Sequence, residues 1–167
     1  KETDVANRSI FGDGAAATIV SHSENEKIKQ CVLGSDGAGA ENLIVRGNAF
    51  RKNPYDDVGC HLHMDGAEIF NFTIESVPKL VNAVLKKNEL VMDDLDYVIF
   101  HQANSFILNH LRKKIKIPSE KFYVNMATTG NTVSATIGIA LKDAFDQGAV
   151  KEGDKVLLVG FGVGYSW

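Results

Sequence analysis

The run Tyr97-Val-Ile-Phe-His-Gln-Ala-Asn104 decides how this chain folds. Its first four residues are aromatic or β-branched, the composition of a short buried strand. The polar residues after them lead directly into a helix from Asn104 to about Lys116. There Ile107, Leu108, Leu111 and Ile115 recur at helical spacing and face inward, while Arg112, Lys113 and Lys116 lie outward. Pro118 ends that helix. A buried strand turning straight into a helix is one unit of an alternating α/β architecture.

The same alternation extends in both directions. Downstream, Phe122-Tyr-Val-Asn125 reads as a short strand. A helix over 131–147 begins at Asn131, a favoured N-cap residue, and stops before Gly148, a favoured residue just past a helix end. Residues 132–141 carry no charge, so this half of the helix is expected to be buried all round. Lys155-Val-Leu-Leu-Val-Gly160 completes the series as an apolar strand. Upstream, Ile69, Phe70, Ile74, Val77, Val81, Val84 and Leu85 form the apolar stripe of a helix over 67–87, which Pro78 should kink or break. Asp13-Gly-Ala-Ala-Ala-Thr-Ile-Val20 reads as a buried strand entered by a Gly turn, and residues 27–34 as a second strand. Between them and the first long helix lies a loop over about 35–65, too long for plain connection. The order ββ, loop, α, β, α, β, α, β predicts a mostly parallel or mixed sheet with helices packed on it, in one domain.

Bulk properties agree. A chain of 167 residues, 44% hydrophobic and 23% charged, builds a real core. A net charge of -3 argues against a nucleic-acid partner. Two cysteines, Cys31 and Cys60, are too few for a disulfide framework and fit a reduced, cytoplasmic setting. No apolar run approaches about 18 residues, so no membrane span is expected. Lys1-Glu-Thr-Asp4 leads into ordinary sequence rather than a signal peptide. The absence of an initiator Met suggests a piece of something longer.

Polar or glycine-rich segments close three of the apolar runs: His101-Gln-Ala-Asn104, Gly130-Asn131-Thr132 and Gly160-Phe-Gly-Val-Gly164. In open α/β sheets, ligands bind outside the carboxyl ends of strands. An imidazole, a carboxamide and a Gly-rich backbone there are the parts that hold a developing oxyanion. Each also has an ordinary reading: a structural histidine, an N-cap asparagine, glycines in a turn. No nucleophile accompanies them, so the chain resembles one half of an active site. Other motifs fall away. Gly12-Asp-Gly-Ala-Ala-Ala17 has dinucleotide-site spacing, but it precedes strand-like sequence rather than a helix. Cys60-His-Leu-His63 lacks a second ligand pair, and no metal site is expected. The basic cluster Arg112, Lys113, Lys114 and Lys116 is a solvated face or a dock for an acidic partner.

Phe11-Gly-Asp-Gly14 and the three segments above resemble, in order and spacing, the C-terminal half of 3-oxoacyl-acyl-carrier-protein synthase III, a thiolase-fold condensing enzyme. The resemblance spans essentially the whole chain. It implies an α/β, thiolase-like half-fold over 1–167, a mixed sheet with helices on both faces. It also implies a Cys-His-Asn triad in which His101 and Asn131 match the His and Asn. The nucleophilic Cys belongs to an N-terminal half that is absent, and neither Cys31 nor Cys60 matches it. The family's last strand would lie beyond Trp167.

The implied chemistry is decarboxylative condensation of an acyl-coenzyme A with malonyl-acyl carrier protein, starting fatty acid synthesis, with the coenzyme A thioester as substrate and no bound cofactor. Phe161, Gly162 and the Val163 N–H match the acyl pocket and its oxyanion hole. Gly66, Phe70, Asn104 and Ile107 match the coenzyme A and pantetheine tunnel. Arg112, Lys113 and Lys114 match the carrier-protein docking patch. Two positions depart: Phe106 stands where the family usually has Arg, and Val163 where it has Gly. The resemblance further implies a homodimeric parent and an isolated chain that is inactive. Without a partner half the uncharged helix over 131–141 would expose an apolar face, so the isolated chain is expected to self-associate. A thiolase-fold acyltransferase or condensing enzyme of secondary metabolism, and a non-catalytic binding or assembly module, are the alternatives.

Overall fold

In the computed structural model, residues 5–47 and 61–167 are described. The elements in chain order are helix α1 Val5–Ile10, strands β1 Leu43–Ile44 and β2 His63–Met64, helix α2 Gly66–Lys87, strand β3 Tyr97–Phe100, helix α3 Ser105–Ile115, strand β4 Phe122–Tyr123, helix α4 Thr136–Asp146 and strand β5 Val156–Val159. β1 and β2 form an antiparallel pair, and β3 is the centre of a parallel sheet in the order β4-β3-β5. Val98 sits opposite both Phe122 and Leu157 in that ladder.

Parallel sheets persist only where both faces are covered, and β3 shows why this one does. Val98 and Phe100 point to one face, where they join Val77 and Val81 of α2 and Leu108 and Leu111 of α3, all at most 1% exposed. Ile99 points to the other face and meets Ala140 and Ala144 of α4 together with Val150. The two alanines, four residues apart, lie on one side of α4 and let its backbone approach the sheet closely. Helices thus cover both faces.

Local signals set the helix ends. Asp65 caps α2 by accepting from the Ala67 and Glu68 N–H groups at 3.1 Å each. Asn104 caps α3 by accepting from the Ile107 N–H at 2.8 Å. α3 stops at Lys116, which turns left-handed at φ 63. α2 runs through Pro78 without a break. Packing on α3 and β3 outweighs the one N–H that proline withholds from the ladder.

Four expectations change. Neither 13–20 nor 27–34 forms a strand. Ile19 is 94% exposed and Leu33 is 85% exposed. A strand needs a neighbouring strand to take its backbone hydrogen bonds, and among the described residues none pairs with these runs; the Asn88 side chain instead bonds the backbone N–H and carbonyl of Gln30 at 2.9 Å each. Only at Gly34 does pairing begin, where Gly34 and Trp167 exchange backbone bonds of 2.9 and 3.0 Å. α4 begins at Thr136 rather than Asn131, behind a 3-10 turn over Val133–Ala135. Its first half is not buried all round: Thr136 and Ala140 are buried, whereas Ile137 and Ile139 are half-buried, with the sheet on one side and Gly14 and Ala16 close by on another. The long loop contains a 3-10 helix, Gly37–Asn42, besides β1 and β2. Residues 48–60 of the loop, with Cys60, lie outside the described residues. Among the described residues no helix is long and apolar enough to cross a membrane.

Candidate active site

β3 delivers His101 to the carboxyl edge of the sheet. The His101 N–H donates to the Val159 carbonyl at 2.8 Å, extending the pairing with β5 one residue past the strand. Gln102, 1% exposed, locks this edge: its Nε2 donates to the Phe100 carbonyl at 2.7 Å and its Oε1 accepts from the Asn125 N–H at 2.8 Å. The carboxamide therefore ties the end of β3 to the segment leaving β4.

Asn131 arrives at the same edge by backbone constraint. Gly130 takes φ +64, a conformation glycine adopts without strain, and donates its N–H to the Met126 carbonyl at 2.9 Å. The Asn131 N–H then donates to Ile10, and the Gly12 N–H donates back to the Asn131 carbonyl, both at 3.0 Å. Asn131 does not cap α4. Its Oδ1 accepts from the Val133 N–H two residues on, at 2.8 Å, an Asx-type turn. Because a backbone N–H only donates, the atom facing it is the oxygen, and the amide NH₂ is the other end. Val133 itself sits at φ 56, strained for a β-branched residue by about 1–3 kcal/mol.

His101 is anchored similarly. Its Nδ1 lies 2.6 Å from Thr136 Oγ1 at the start of α4, and Thr136 is 2% exposed. Nε2 is the ring nitrogen outside this contact. Burial pushes the imidazole pKa down from 6.5 to about 4, against a smaller upward pull from the Val133 backbone. The ring is therefore neutral at pH 7. An NMR titration should find its midpoint near 4. Between 4 and 6.5 the unfolded chain binds this proton and the folded chain does not. The stabilisation is thus complete above 6.5 and declines as pH falls toward 4. A midpoint near 6.5 would show that the ring is not buried.

Phe161 packs edge-on against His101, centroids 5.4 Å apart at 85°, and also against Phe100 at 6.4 Å and 90°. Gly162 and Ser166 exchange two backbone bonds of 2.9 Å, closing a turn that displays Val163 and Gly164. The structure therefore brings His101, Thr136 and Phe161 together, with Asn131 joined to them through Val133. The tunnel candidates stand on neighbouring helices: Asn104 and Ile107 open α3, and Gly66 opens α2. Phe70 of α2 meets Phe106 at a tilt of 32°, centroids 5.7 Å apart, and His110 edge-on at 5.4 Å. Arg112, Lys113 and Lys114 form the last turn of α3. Lys113 and Lys114 are exposed, whereas Arg112 donates to the Ile117 carbonyl at 3.2 Å. Among the described residues no cluster of three His, Cys, Asp or Glu side chains is placed to hold a metal. Cys31 is exposed, its thiol on the Lys29 carbonyl, and does not join the site.

Sequence reasoning missed Gln102 and Thr136. A buried carboxamide beside His101 was a faint signal for the first; nothing local marks the second.

Comparison with known proteins decides the family. The profile described as 3-oxoacyl-[acyl-carrier-protein (ACP)] synthase III C terminal matches residues 85–167. The beta-ketoacyl-[acyl-carrier-protein] synthase III of Clostridium tetani is 39% identical over 169 residues, covering 95% of this chain and 51% of that protein. The chain belongs with the C-terminal halves of the synthase III family. The crystal structure of the Thermus thermophilus synthase III superposes with a TM-score of 0.82 at 33% identity, covering 98% of this chain and 51% of that one. The Pseudomonas aeruginosa synthase III gives a TM-score of 0.84 at 29% identity, covering 100% of this chain and 51% of that one. The thiolase-like α/β fold is thereby shown. The chain spans about half the length of the curated synthase III relatives it matches.

Proposed function

We propose that the chain forms the C-terminal half of a β-ketoacyl-acyl carrier protein synthase III, catalysing condensation of an acyl-coenzyme A with malonyl-acyl carrier protein. The observation that carries this reading is the anchoring at the sheet edge. Asn131 is held by its oxygen on Val133, and His101 by Nδ1 on Thr136. His101 keeps its second ring nitrogen, and Asn131 its amide NH₂, for a ligand.

In the reaction, a cysteine thiolate from the N-terminal half attacks the acyl-coenzyme A thioester, and coenzyme A leaves. Malonyl-carrier protein then loses carbon dioxide. The electrons of the broken C–C bond form an enolate, whose carbon attacks the acyl-cysteine and releases the thiolate. His101 and Asn131 donate to the enolate oxygen, where the charge develops. A neutral imidazole suits this step, because it donates without being consumed as an acid. Phe161 and the turn at Gly162 and Val163 flank the acyl group. Gly66, Phe70, Asn104 and Ile107 line the approach of the pantetheine arm. Lys113 and Lys114 present positive charge to an acidic carrier protein, which speeds encounter.

One observation favours a second reading, a condensing enzyme for other acyl groups. Phe106, 70% exposed, replaces a cation with an aromatic pair on Phe70. Substrate profiling over acyl chain length separates the two.

The isolated chain lacks the nucleophile, so it should be inactive. Exposed Ile19, Val20, Ile28 and Leu33 support a partner half lying over them, and in isolation they favour self-association. Incubated with acetyl-coenzyme A and malonyl-carrier protein, the 167-residue chain should form no ketoacyl product. The same chain behind a synthase III N-terminal half should form it. Turnover by the chain alone would contradict the assignment of the nucleophile.

A further inference from the structure

We propose that Thr136 is a positioning residue that fixes the tautomer of His101, placing the ring proton on Nε2. The proposal rests on the donor role assigned to His101 above. The Thr136 hydroxyl has one proton and two acceptors in reach, His101 Nδ1 at 2.6 Å and the Val133 carbonyl at 3.1 Å. That carbonyl already accepts the backbone N–H of Thr136, so it is satisfied without the hydroxyl. The imidazole nitrogen is nearer and more basic, and the O–H goes to it. A neutral imidazole accepting at Nδ1 carries its proton on Nε2, which makes that nitrogen a donor.

The opposite tautomer has its own attraction. The Val133 backbone also favours a proton on the His101 ring. Left alone with it, Nδ1 would keep the proton and donate to the carbonyl. Nε2 would then present a lone pair to an oxyanion, a repulsive contact in place of a hydrogen bond. The hydroxyl decides between the two. Of the hydroxyl residues in 132–141, Thr132, Ser134 and Thr136, only Thr136 bonds the imidazole. It is nine-tenths buried or more, it opens α4, and it reaches across 35 residues of sequence to do so. The 3-10 turn Val133–Ala135 aims it, and the same turn holds Asn131 through the Val133 N–H. Both donors are therefore set by one short turn.

The test is the ¹⁵N–¹H imidazole spectrum of His101 in the full-length protein, which distinguishes the tautomers directly, read with two half-reactions. The wild type should show protonated Nε2. Thr136→Val keeps the shape, removes the hydroxyl, and should invert the pattern to protonated Nδ1. Decarboxylation of malonyl-carrier protein should fall by about 100-fold, the scale of a lost oxyanion donor. Acyl transfer from acyl-coenzyme A should persist, and Thr136→Ser should restore both the spectrum and decarboxylation. Protonated Nδ1 in the wild type overturns the proposal without any variant. So does a Thr136→Val protein that keeps protonated Nε2. His101→Ala with undiminished decarboxylation would instead remove the donor reading on which the proposal rests.

Discussion

Phe100→Ala should cost about 3–5 kcal/mol of stability, measured by urea unfolding. Phe100 closes β3 and is 0% exposed. Its ring meets Phe122 edge-on at 5.1 Å and 88°, and Phe161 at 6.4 Å and 90°. Truncation leaves a cavity under the sheet edge that β4 and β5, each tied to β3 by backbone bonds, cannot collapse to fill. The damage should reach the site as well. Phe161 would keep its contact with His101 but lose the ring that supports it from below. Phe100→Leu retains most of the volume and should cost less than about 1.5 kcal/mol. A loss below about 1 kcal/mol for the alanine variant would show that this position is not in a close-packed core.

The second large effect is on rate. In the full-length protein, His101→Ala and Asn131→Ala should each lower condensation about 100–1000-fold, the usual consequence of removing one oxyanion donor. The double variant should lose less than the product of the two, because one anion takes both hydrogen bonds. Asn131→Asp is the sharper probe. It keeps the acceptor that holds the Val133 N–H while replacing both amide donors with negative charge. Folding should survive and condensation should not. Equal activity for Asn131→Asp and wild type would mean that the residue serves only its turn.

The elements legible in the sequence were those whose causes are local. β3 and β5 are apolar runs, and α2 and α3 carry their apolar stripes within themselves, so periodicity suffices. Asp13–Val20 looks no less like a buried strand than β5 does. A strand's existence, however, depends on a neighbour that the run itself cannot encode, and here Ile19 and Val20 lie open. Asn131 illustrates a second limit. Its short acceptor side chain suits an N-cap and an Asx turn equally, and the strained backbone of Val133 decided for the turn. Of the candidate site, His101 and the Gly-rich turn stand out in the sequence because they follow apolar runs that form β3 and β5, and Asn131 because it belongs to a resembling set of motifs. Gln102 and Thr136 do not, since their partners stand 23 and 35 residues away. Long-range hydrogen bonds leave no periodic trace.

The central claim is that this chain contributes the donors that stabilise the enolate, not the nucleophile that carries the acyl group. Following carbon dioxide release from malonyl-carrier protein and acyl-enzyme formation from acyl-coenzyme A, side by side in the full-length His101→Ala, Asn131→Ala double variant, tests it most directly. Decarboxylation should fall at least about 100-fold while the acyl-enzyme still forms. Decarboxylation at the wild-type rate would contradict the account.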